Sequence, residues 1–75
     1  MNQYIYNIEP IQLIDEVSST EFYIGLSNNG RDTSKEIWKI NKITKNGNVW
    51  NTSQYPNGSQ KFEFIWDNRA TYTYL

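Results

Sequence analysis

Lys35-Glu36-Ile37-Trp38-Lys39-Ile40-Asn41-Lys42-Ile43-Thr44-Lys45, then Asn46-Gly47, then Asn48-Val49-Trp50, is the stretch whose reading decides the fold. It is rich in β-branched and aromatic residues, contains no proline, and is interrupted by an Asn-Gly pair. Such residues fit the half-buried surface of a pleated strand. Asn-Gly supplies the two positive-φ positions of a type I′ turn, the tightest hairpin connection. The expectation is therefore a long strand over Lys35–Lys45 that returns through Asn48–Trp50. A two-residue turn at Asn46-Gly47 would set Lys45 opposite Asn48, Thr44 opposite Val49 and Ile43 opposite Trp50. Ile43 and Trp50 would then share one face, with Trp38, Ile40, Thr44 and Val49 on the other. Either both faces of this hairpin are covered or a bulge near Asn41-Lys42 swaps the phase. We read two-sided cover.

Toward the C-terminus, Tyr55-Pro56-Asn57-Gly58 has proline at the second turn position and a glycine suited to a left-handed bulge, a second hairpin signal. Phe62 and Phe64 alternate with Lys61 and Glu63. Ile65-Trp66-Asp67-Asn68-Arg69 breaks that alternation and reads as one helical turn, in which Phe62 and Trp66 would stack if the turn begins early. Ala70, Tyr72 and Tyr74 alternate with Thr71, Thr73 and Leu75 as a last strand, expected to be built into the sheet or into an interface.

Toward the N-terminus, Phe22, Ile24 and Leu26 lie on one face of a strand, with Glu21, Tyr23 and Gly25 opposite. The polar segment Ser27–Ser34 follows as the expected mobile or partner-binding loop. Asp15–Thr20 reads as a polar connection preceded by a short strand carrying Ile11, Leu13 and Ile14. Glu9-Pro10 separates it from a first strand in which Tyr4, Tyr6 and Ile8 alternate with Ile5 and Asn7, because proline cannot donate to a sheet ladder. The whole predicts one domain over residues 1–75. Its class is all-β: a small antiparallel sandwich or partly open barrel of about six short strands, with one helical turn near Trp66.

Seventy-five residues with no cysteine and no histidine leave little besides packing to hold such a domain. Domains this small bury only roughly 60% of the surface their unfolded chain exposes and lean on staples or partners when the core is thin. Three Trp, six Tyr and three Phe are the compensation, since each ring can bury about 150–250 Å². A net charge of −1 with scattered signs gives no nucleic-acid footprint and no polybasic membrane patch. No apolar run is long enough to span a bilayer, and the first residues lack the pattern of a secretory leader. Asn51-Thr52-Ser53 and Asn57-Gly58-Ser59 match the glycosylation sequon and, without a leader, read as chance.

The same inventory argues against an enzyme. Without His or Cys the usual nucleophilic dyads and triads are excluded, and zinc lacks its preferred ligands. Asp15-Glu16 reads as a solvated turn and not as an acid–base pair. Gly25 and Gly30 lack the lysine and following helix of a phosphate loop. Asn29, Asp32 and Ser34 lack the EF-hand spacing. No cofactor is expected. In the densest polar group, Asp67 is expected to cap a turn and pair with Arg69 while Trp66 plugs the core. The alternative puts Arg69 or Trp66 at an interface, where Trp, Tyr and Arg concentrate binding energy. Tyr4, Tyr6, Tyr72 and Tyr74 would gather into one patch if the terminal strands paired. That patch would be half-buried filler, an interface or, least favoured, a glycan platform.

The order Tyr-Ile-Gly, polar loop, Trp-Lys-Ile, Asn-Gly, Tyr-Pro-Asn-Gly and Ile-Trp-Asp-Asn-Arg-Ala-Thr-Tyr-Thr-Tyr resembles a group of very small tailed-bacteriophage proteins. The likeness runs from Phe22 to Leu75 and leaves residues 1–21 outside it. It implies a phage-encoded virion component, made in the host bacterial cytoplasm, whose matching Trp38, Trp66, Asp67 and Arg69 are scaffold positions. Together with the empty catalytic inventory, it leads us to expect a non-enzymatic accessory, adaptor or decoration subunit. Such a subunit would bind other virion proteins of a capsid, connector, tail or fibre, in several copies or as a homo-oligomer. Trp38, Trp50 and Trp66 are the candidate anchors. The rival expectations are a carbohydrate-binding module that touches the host surface and a small phage regulator that binds a host protein.

Overall fold

A computed structural model describes residues 10–50 and 53–75. Its strands are β1 (Ile11–Ser18), β2 (Glu21–Ser27), β3 (Glu36–Asn46), β4 (Val49–Trp50) and β5 (Phe64–Ile65), followed by a 3-10 helix (Trp66–Thr71). The strands form an open, antiparallel sheet in the order β1-β2-β3-β4, with β5 also paired to β3. The protein is all-β with one short helical turn at Trp66, as the sequence predicts. Tyr4, Tyr6 and the predicted first strand lie outside the described residues.

β3 is the spine. It pairs with β2 from Trp38 to Thr44 without a register shift, so no bulge interrupts Asn41-Lys42. Its hairpin turn differs from the expected one. Lys45 pairs with Trp50 and Asn46 with Val49, so the turn residues are Gly47 and Asn48. Positive φ falls on Gly47 (67°) and not on the asparagines beside it, which is the pattern of a type II′ turn with glycine in the first central position. The two-residue shift in pairing preserves the side-chain period of two. Trp50 therefore still points away from the face that carries Trp38 and Ile40.

Asp15–Thr20 is not a polar connection. β1 continues through Asp15 and Glu16 to Ser18, with a bulge between Glu16 and Ser18, and the turn is only Ser19-Thr20. The cause is distant in sequence: the Arg69 guanidinium meets the Asp15 carboxylate at 2.9 Å and holds that acid in the strand.

The core lies on the sheet face that carries Ile11, Leu13, Tyr23, Gly25, Trp38 and Ile40. Tyr23, Trp38, Ile40 and Trp66 are its buried residues. Trp66 enters from the 3-10 helix, its ring 6.1 Å from that of Trp38, directly above Gly25. The Trp38 indole N–H donates to the carbonyl of Asp32 (3.0 Å). That bond, the Asp67 N–H to Thr33 carbonyl bond and the Ser27 hydroxyl to Gly30 carbonyl bond tie the Ser27–Ser34 segment to the core from within.

Tyr55-Pro56-Asn57-Gly58 is a turn, closed by the Gly58 N–H on the Tyr55 carbonyl (2.9 Å) with Asn57 at φ 52°. Its strand partner is not the Phe62–Phe64 segment but the chain end. Tyr55 and Leu75 exchange both backbone bonds, and the Asn57 N–H donates to Thr73. Ala70 and Thr71 belong to the helix, so the final extended segment is shorter than the alternation suggested. With buried Pro56, this ribbon and the 3-10 helix roof the core face.

Tyr72 and Tyr74 serve that roof. The Tyr72 hydroxyl accepts the Ile65 N–H (2.9 Å) and its ring meets Phe64 edge-on. The Tyr74 hydroxyl donates to the Arg69 carbonyl (2.7 Å) and its ring packs on Tyr23. Burial, with the nearby Tyr23 and Tyr72, pushes the Tyr74 hydroxyl well above the ordinary tyrosine value of 10.0. The folded chain thus holds the phenol proton more tightly than the unfolded chain. Tyr74's contribution to stability is complete below about pH 10 and is lost as pH rises beyond it. Melting temperature should therefore fall above about pH 10, and less steeply in Tyr74→Phe. Parallel curves for the two proteins would show that another group governs alkaline unfolding.

Candidate functional site on the open face of the sheet

The face opposite the core carries Gln12, Ile14 and Glu16 from β1, Phe22, Ile24 and Leu26 from β2, and Lys39, Asn41, Ile43 and Lys45 from β3. These positions follow directly from the pairing registers. Hydropathy alone would choose Phe22, Ile24 and Leu26 as the inner side of β2, yet the buried positions are Tyr23, Gly25 and Ser27. Two tryptophans need the space that Gly25 leaves, and that requirement decides which side is roofed. Phe22, Ile24, Leu26 and Ile43 are consequently only half-buried. The expected two-sided cover is not met among the described residues: the roof lies on one side only.

Trp50 completes this face. It stands 48% exposed, while Ile14 is 62% exposed. The Trp50 ring meets Phe22 edge-on at 5.2 Å and 76°, and the Lys45 amine lies 5.3 Å from the Trp50 ring centre. Ile14, Glu16, Ser19, Phe22 and Trp50 bound a shallow depression of about 350 Å³ at this end of the sheet. At the other end the Lys39 amine sits 5.6 Å from the exposed ring of Phe62. Phe62 is therefore not stacked on Trp66; the helical turn begins too late for that pair.

Among the described residues, the other predicted positions, Trp38, Trp66, Asp67, Arg69, Tyr72 and Tyr74, belong to the roofed side. Arg69 does not pair with Asp67. It bonds Asp15, donates to the Trp66 carbonyl (3.1 Å) and lays its guanidinium 4.5 Å from the Trp66 ring centre. Asp67 is exposed, and no side chain caps the 3-10 helix. Trp66 and Arg69 thus clamp β1 to the roof, a cation–π contact worth roughly 0.5–1 kcal/mol adding to the ion pair. Tyr72 and Tyr74 are turned inward and do not form an outward patch. Of the candidate anchors, the open face holds Trp50 alone.

Three positions escaped the sequence reading: Gly25, Asp15 and Ile14. The strict alternation of β2 was the available signal for Gly25, as a side-chain gap between two large rings. No three acidic side chains gather as a metal site among the described residues. Comparison with family models, with curated proteins and with solved structures returns no match.

Proposed function

We propose that this chain is a non-enzymatic structural subunit of a bacteriophage particle, an accessory, adaptor or decoration protein that buries its open sheet face in a larger assembly. The observation that carries the reading is that face: Ile14, Phe22, Ile24, Leu26, Ile43 and Trp50 side by side, with the core on the opposite side. Large exposed apolar patches rimmed by polar residues mark interaction surfaces. Trp is a preferred hot-spot residue in such patches, and Trp50 stands half-exposed at one end of this one. The phage assignment rests on the likeness of Phe22–Leu75 to small virion proteins.

A host-glycan platform draws less support from the geometry. A coplanar pair of exposed rings would favour a sugar, and the Trp50 and Phe22 rings stand at 76° to each other. The experiment is mass spectrometry of particles purified from the phage that encodes this chain. The chain should be present at several copies per particle and survive washing in high salt. Its absence from mature particles would overturn the virion reading and favour a regulator acting in the infected cell.

A further inference from the structure

We propose that the open face takes a second copy of this chain, in a face-to-face pair about a two-fold axis parallel to β2. This deepens the reading of that face as an interface and rests on it. The argument is the distribution of charge. Across the face, the outer strand β1 carries an acid, Glu16, the middle strand β2 is wholly apolar at Phe22, Ile24 and Leu26, and β3 carries two amines, Lys39 and Lys45. None of these three charges makes an ion pair among the described residues, where the ion pairs are Lys42–Glu21 and Arg69–Asp15.

A two-fold axis along β2 lays β1 of one copy over β3 of the other and β2 over β2. Glu16 stands level with Phe22 and Ile43 in the sheet registers. The second copy's Glu16 therefore arrives over Ile43, one same-face position from Lys45, roughly 7 Å along the strand. Stacked sheets lie about 10 Å apart, within reach of a lysine and a glutamate extended toward each other. Each Glu16 meets a Lys45 of the other copy, twice by symmetry, and each Gln12 stands over a Lys39. Turning the axis perpendicular to the strands would set β1 over β1 and β3 over β3. The lysine strand would then face itself, and neither Glu16 would have an amine opposite. An isologous interface needs a self-complementary patch, and an acid on one side of the axis, an apolar centre and amines on the other side provide one. The same axis carries Trp50 of the second copy to the β1 side, toward the depression bounded by Glu16 and Ser19.

The test is sedimentation equilibrium of the full chain with single and compensating charge reversals. The parent should dimerise at micromolar concentration, with Trp50 emission shifting to the blue as the dimer forms. Glu16→Lys and Lys45→Glu should each weaken the dimer about tenfold or more, because like charges then oppose across the interface. Glu16→Lys combined with Lys45→Glu should restore it, and melting curves of the dilute monomers show that each variant folds. A parent that stays monomeric, or a dimer indifferent to either reversal, overturns the pairing. The two readings separate in one further variant, Ile14→Lys. If the parent is monomeric yet Ile14→Lys is lost from particles, the virion interface stands and the self-pair falls. If the parent dimerises as described but is absent from particles, the self-pair stands and the virion reading falls.

Discussion

Trp66→Ala is expected to lower the free energy of unfolding by about 3–5 kcal/mol, the cost of deleting a large buried ring. Single domains hold only about 5–15 kcal/mol in total, so most of this protein's stability is at stake. The size of the effect follows from how many contacts converge on one side chain. The ring is almost fully buried, packs against Trp38 and Gly25, and carries the Arg69 guanidinium on its face. Losing it also releases Arg69, and with it the tie to Asp15 that holds β1 against the roof. Urea unfolding followed by circular dichroism measures the loss. A variant that unfolds at the parent's midpoint would mean that Trp66 contributes nothing to the core and that the roof is held elsewhere. By contrast, Trp50 lies half out in solvent.

Much of the fold was legible because its signals are local. The β3 run has no proline and the right residue types, a glycine stands where the hairpin turns, and Pro56-Asn57-Gly58 closes on Tyr55 within four residues. The break in alternation at Trp66 marked the only helix among the described residues. What was not legible depends on residues far apart in the chain. Asp15 looks like loop composition until Arg69, 54 residues away, supplies its counter-charge. Tyr55–Asn57 looks like one arm of a local hairpin until the chain end pairs with it.

The candidate site was half legible for a related reason. Strand periodicity assigned Trp50 and Trp38 to opposite faces, and the hairpin's actual register keeps them there because it moved by two residues. A move by one would have reversed every side chain. Which face would be roofed could not be read from hydropathy, because the face left without a roof among the described residues is the more apolar side of β2. The choice was made by volume. Only the Tyr23–Gly25–Ser27 side leaves room for two indoles, so among the described residues the aliphatic side is left without a roof.

That volume argument gives the second large effect, at Gly25. A Cβ placed there would stand 2.5 and 2.6 Å from ring carbons of Trp66 and 3.3 Å from Trp38. Neither indole is a flexible side-chain tip: Trp38 is hydrogen-bonded to Asp32 and Trp66 lies under Arg69. Gly25→Ala should therefore cost at least the 1–3 kcal/mol typical of overpacking, although elsewhere in a strand alanine is the better residue by roughly 0.5–1 kcal/mol. The opposition of those two terms makes the prediction specific. In a Trp66→Leu background the two ring carbons are gone and only the 3.3 Å approach to Trp38 remains, so the same Gly25→Ala change should cost far less. The double-mutant cycle should then report a coupling of about 1–3 kcal/mol between positions 25 and 66. Equal costs of Gly25→Ala in both backgrounds would mean that the ring does not rest on β2, and the assignment of the roofed face would fail with it. If the coupling is found, a single missing side chain in β2 selects the buried face, and thereby leaves Ile14, Phe22 and Trp50 on the side where a partner can reach them.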